Sequence, residues 1–221
     1  MAEDLLTDDE QWEAIKVWIR ENGLWMLGGV ALAVALLYGY RFYQGHRDTQ
    51  DANAAAQFSV MTAAVDANDR TAAKSTAAAI IKDYPASPYA DQAELMLARL
   101  AIDDGQDVNA IEQLTHVMNN SKDSQLRHIA RLRVARVQID QGKPDDAIST
   151  LAAVPPGKFE SRYHEVHGDA LVAKKDVSGA IREYRAALTG SEQRSADSAI
   201  LELKIADLGA IVNPPDKKAK P

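Results

Sequence analysis

Two aligned stretches decide how the chain folds: Ala98-Arg-Leu-Ala-Ile-Asp-Asp-Gly-Gln-Asp-Val-Asn-Ala110 and Ala135-Arg-Val-Gln-Ile-Asp-Gln-Gly-Lys-Pro-Asp-Asp-Ala147. Each begins and ends on a small residue, twelve positions apart, with a glycine-bearing loop signal between. Gly168 and Ala180 repeat the spacing around Lys174-Lys-Asp176, and Met61 with Ala73 forms an earlier, degenerate copy. The second small residues, Ala73, Ala110, Ala147 and Ala180, are separated by 37, 37 and 33 positions. Four residues beyond each stands Ala77, Leu114, Leu151 or Tyr184, and three further Ile80, Val117, Val154 or Ala187. From Asp48 onward the composition favours helix, and no run of alternating β-branched residues interrupts it.

This period resembles the tetratricopeptide repeat, in which two helices joined by a short turn approach closely because the crossing positions are small. Pro85, twelve residues after Ala73, stands where that pattern closes a unit. The aromatic near the start of the first helix is missing from the copies, and alanine is abundant enough that an irregular helical bundle is the competing reading. Repeat solenoids work through the surface lined by the first helix of each unit. In this register the resemblance implies that Gln92, Leu95, Arg99, Ile102 and Asp103 line it, followed by Ile129, Leu132, Arg136, Ile139 and Asp140. An apolar floor with paired arginines suits an extended, apolar segment with some acidic or carbonyl character. The alternative is that the isoleucines are core and the arginines pair with neighbouring aspartates.

Working outward, residues 22–40 contain no charged residue. As a helix they span roughly 28 Å, close to the hydrocarbon thickness of a bilayer. Trp18 and Trp25 flank one end and Tyr38, Tyr40, Phe42 and Tyr43 the other, as interfacial aromatics do. The first 21 residues carry seven acids against Lys16 and Arg20, and bulky residues follow the apolar core, so the segment reads as a retained anchor rather than a cleaved signal peptide. Thr7-Asp-Asp-Glu10 is a capping box. Trp12, Ile15, Trp18 and Ile19 then share a helical face, and Asn22-Gly23 offers a stop. Residues 8–21 are accordingly expected to form a short amphipathic helix at the membrane surface, the alternative being an extension of the spanning helix. Lys16 and Arg20 on one side balance Arg41 and Arg47 on the other, so the positive-inside rule leaves the orientation open. The expected organisation is a tail over 1–21, a span over 22–43, a repeat domain over 44–212 closed by a helix over 191–212, and a disordered tail over 213–221. The fold class is all-α: a single N-terminal transmembrane helix followed by a tetratricopeptide-like α-solenoid.

The net charge of −7 is concentrated at the start, where residues 1–21 contribute −5; residues 42–221 contribute only −3. So balanced a domain exerts little pull on nucleic acid. The absence of cysteine removes disulfides, thiolate catalysis and cysteine metal sites. His164 and His167 share a helix with Glu160, but no H-E-x-x-H pattern or further paired ligand accompanies them. There is no phosphate-binding glycine loop and no nucleophile elbow. Neither a catalytic role nor a cofactor is expected.

Asp9-Glu-Gln-Trp-Glu-Ala-Ile-Lys16, Glu21-Asn-Gly23, the single span, Gly39-Tyr-Arg-Phe-Tyr43 and Leu132-Arg-Val-Ala-Arg-Val-Gln138 together resemble the YfgM family of ancillary Sec translocon subunits. The resemblance covers nearly the whole chain. It implies a bacterial inner-membrane protein with a cytoplasmic N-terminus and periplasmic repeats. The implied partners are the SecYEG translocon, a membrane-anchored periplasmic prolyl isomerase, and unfolded or emerging polypeptides that are passed to periplasmic chaperones. A regulator sequestering a signalling partner at the membrane, or a scaffold for an envelope-assembly complex, would use the same architecture.

Overall fold

An unbroken helix, α1, occupies Asp8–Asp66 in the computed structural model, which describes residues 8–190 and 196–209. The expected stop at Asn22-Gly23 does not occur, and helix continues through residues 44–53, beyond the expected end of the span. Glycine in a helix interior costs only about 1 kcal/mol, too little to break a long apolar helix. Asn22 turns inward on the helix instead, its side-chain amide donating to the Trp18 carbonyl at 3.0 Å, and the Thr49 hydroxyl donates to the Gly45 carbonyl at 2.9 Å. The chain divides into two units between Asn53 and Ala54, ten residues later than the expected domain boundary. Among the described residues of the first unit the large apolar side chains are exposed, Leu24 and Trp25 each at 83%. The helix is long and apolar enough to cross a membrane. Thr7, and with it the capping box, lies outside the described residues.

The second unit is all-α, with no strand among the described residues. After the end of α1 come α2 (Arg70–Asp83), α3 (Pro88–Asp103), α4 (Asp107–Asn120), α5 (Ser124–Asp140), α6 (Pro144–Ala152), a 3-10 turn (Gly157–Phe159), α7 (Glu160–Ala173), α8 (Val177–Gly190) and α9 (Ala196–Asp207). Local chemistry starts several of them. Asp69 and Asp123 cap α2 and α5, their carboxylates accepting from the Ala72 and Gln125 amides at 2.9 and 2.7 Å, and Pro88 and Pro144 open α3 and α6. The expected closing helix is described only as α9; residues 191–195 and everything from 210 onward lie outside the described residues.

The four helix pairs share one turn. Seven positions after Met61, Ala98, Ala135 and Gly168 come Asn68, Gly105, Gly142 and Lys175, with φ of 57°, 72°, 73° and 65°. In each turn the next amide donates back to the carbonyl five residues earlier: Asp69 to Ala64, Gln106 to Ala101, Lys143 to Gln138 and Asp176 to Leu171, at 2.8 to 2.9 Å. This is the hydrogen bond that closes a helix on a left-handed residue. Met61, Ala73, Ala98, Ala110, Ala135, Ala147 and Ala180 are fully buried where the paired helices cross. The crossing at Gly168 leaves no room for a side chain, since a Cβ there would stand 2.5 Å from Cε1 of Tyr184. The core is a succession of local clusters around Met61 and Ile80, Leu114 and Val134, Leu132 and Val166, and Tyr184 and Ile205. Each joins neighbouring units only, as in a solenoid. Val154 is half-buried rather than core because α6 ends at Ala152 and Pro155-Pro156 follows.

Candidate protein-binding face

The first helices of the last three pairs, α3, α5 and α7, carry the expected face, and α5 also packs directly on α7. The structure divides the ten expected residues. Leu95 and Leu132, three positions before the small residue, are core, 8% and 5% exposed. Ile129 and Ile139 are half-buried and pack against the clusters beneath. Gln92 is half-buried, while Arg99, Ile102, Asp103, Arg136 and Asp140 are exposed. The apolar floor therefore recedes into the core, and what reaches the surface is mainly charge. The alternative pairing, of Arg99 and Arg136 with neighbouring aspartates, is not formed among the described residues; Asp103 instead approaches Arg70, at 4.0 Å.

The same register continues into α7, which was not assigned face residues from sequence. The positions of Ile129, Leu132 and Arg136 recur there as Arg162, Glu165 and Asp169, 33 residues on. The Leu95/Leu132 position is thus filled by a carboxylate, and the Arg99/Arg136 position inverts its charge. A buried carboxylate needs partners. Glu165 is 8% exposed, and Lys204 of α9 reaches it at 3.0 Å, Arg162 at 3.1 Å and Arg136 at 3.7 Å. Burial works to raise its pKa, but Lys204, Arg162 and Arg136 together outweigh that and hold the carboxyl below its ordinary value. Lys204 also bonds Asp169 at 2.7 Å, whose other contact is the Tyr184 hydroxyl, donating at 2.7 Å. Burial and Asp169 push the ionisation of Tyr184 far upward, so it stays a donor. The 33-residue step is legible in the sequence through Gly168; the continuation is hidden by the change of residue type, leucine and arginine giving way to two carboxylates.

Four of the five histidines serve as struts between helices. His164 and His167 of α7 both meet Glu183 of α8, with Nδ1 at 2.6 and 3.4 Å, and His116 of α4 meets the buried Glu94 of α3 at 2.7 Å. His128 is hydrogen-bonded to the Tyr163 hydroxyl at 2.8 Å and stacked on Phe159.

A family model for the tetratricopeptide repeat-like domain matches residues 16–210. Three curated relatives, each named as an ancillary SecYEG translocon subunit, align along nearly their whole length. The Haemophilus influenzae protein is 30% identical over 90% of this chain and 97% of its own. The Escherichia coli protein is 29% identical over 91% and 96%, and that of Neisseria gonorrhoeae 26% over 92% and 98%.

Proposed function

We propose a function for this chain from one premise: it belongs to the family of ancillary SecYEG translocon subunits, proteins with a tetratricopeptide repeat-like domain. It is a single-pass inner-membrane protein that associates with the SecYEG translocon. Its N-terminus is cytoplasmic and its repeats are periplasmic, where the face of α3, α5 and α7 receives emerging polypeptides and passes them to periplasmic chaperones. A membrane-anchored periplasmic prolyl isomerase is a neighbour in this assembly. The role is one of binding rather than catalysis.

The observation that carries the reading is the pairing of two features in one chain. An apolar helix with exposed side chains calls for a bilayer, and a repeat face presents arginines without full counter-charge. Anchoring raises the local concentration of such a face beside the channel, so modest affinity for each client suffices. Protease added to right-side-out spheroplasts tests the topology. Digestion of the repeats from outside is expected. Protection until the inner membrane is broken would put the domain in the cytoplasm and remove this function.

A further inference from the structure

Three arginines whose charges act on one another lie on α3 and α5, helices that share one core cluster. Arg99 and Arg136 occupy equivalent positions of successive units, and Arg133 lies one turn before Arg136. Arg99 and Arg133 form no hydrogen bond or ion pair among the described residues, and Arg136 has only the 3.7 Å approach to Glu165. That is long for a charge-assisted hydrogen bond. Glu165 is moreover already held by Lys204 and Arg162. Burial, then Arg136, then Arg99 all press the Arg133 guanidinium below its ordinary range. A guanidinium does not shed its proton under such pressure. Water and salt screen the exposed guanidiniums in part, and an anion bound between them would relieve the repulsion further.

We propose that Arg99, Arg133 and Arg136 form a carboxylate-binding site for an acidic, extended segment of a partner polypeptide. The site deepens the binding reading above and rests on it. The neighbouring charges favour a polypeptide over a lipid headgroup or free phosphate. One unit further along the same face, Asp169 replaces the arginine, and its partner Lys204 comes from α9. The face therefore changes along its length: Arg99, Arg133 and Arg136 gather on α3 and α5, with Asp103 and Asp140 at the helix ends, and α7 is acidic with its own counter-ion. A segment carrying carboxylates at one end and neutral residues at the other matches that polarity; a single phosphate cannot.

The test uses the full chain in detergent micelles and two labelled peptides, one bearing glutamates and its glutamine counterpart. Fluorescence anisotropy should give about tenfold tighter binding of the glutamate peptide, narrowing as salt is raised. The combined variant R99Q/R133Q/R136Q should bind both peptides alike, with its helical circular dichroism intact. R185Q, on α8 away from the face, should behave as wild type. Equal affinity of the wild type for both peptides would overturn the proposal, as would discrimination surviving in the triple variant. So would arginine-dependent binding to phosphatidylglycerol vesicles without discrimination between the peptides. If both peptides bind equally and SecYEG still co-purifies, only the carboxylate site falls. If neither peptide binds and SecYEG is absent, the broader function falls with it.

Discussion

At Lys175 the backbone holds a φ of 65°, a conformation that two of the equivalent turns give to Gly105 and Gly142. A side chain there costs roughly 1 kcal/mol, because Cβ crowds the backbone carbonyl. Lys175→Gly is therefore expected to raise stability by about 1 kcal/mol in urea unfolding, and Gly142→Ala to lower it by a similar amount. Gly168 obeys the opposite constraint. A methyl group there would strike the ring of the buried Tyr184, so Gly168→Ala should lose about 1–3 kcal/mol, read as a lower unfolding midpoint. Glu165 makes the fold sensitive to acid. Its carboxyl is held below the ordinary value of 4.5, so its stabilising contribution is present above that pH and is lost as pH falls through the lower, folded-state pKa. The unfolding midpoint should drop on acidification below pH 4.5, and Glu165→Gln should remove that part of the pH slope.

At the scale of elements, α9 is held by apolar contacts of Leu201 and Ile205 and by one cation. Lys204 meets Glu165, Asp169 and the face of Tyr184, the ring centroid 5.4 Å away. Lys204→Met removes the charge but keeps much of the stem, leaving two carboxylates short of a partner. A loss of about 2–3 kcal/mol is expected, with faster amide exchange concentrated in α7 and α9. Unchanged exchange there would mean that apolar packing alone fixes the helix. The helix pairs and their turns were legible because close crossing demands small residues, and each pair repeats that demand at a fixed spacing. Two features were not. Asn22-Gly23 carries the letters of a helix stop, yet a glycine penalty is local and small, while the propensity of the residues on both sides is summed along the helix. Leu95 and Leu132 occupy positions that line a binding surface in the repeat pattern, but here they complete the clusters beneath. The acid at Glu165 was missed because its position is apolar in the two units before it, and a carboxylate there is tolerated only through Lys204, a partner supplied by a distant helix.

For the molecule as a whole, family and fold follow from evidence of different kinds. The repeat period and the uncharged stretch are properties of many residues at once, so single substitutions do not erase them. The face depends on a few exposed side chains whose neighbours are set only in three dimensions. Its arginines were visible in sequence, but which of them have a carboxylate nearby among the described residues was not. The central claim is that this face meets polypeptides in transit at SecYEG. A photo-crosslinker replacing Ile102, in inner membranes holding a stalled secretory polypeptide, tests it most directly. Adducts with the stalled polypeptide are expected, changing as the polypeptide is changed, with none from a crosslinker at Arg185 on α8. Adducts confined to one soluble regulator or one fixed neighbour, whatever polypeptide is stalled, would contradict the claim.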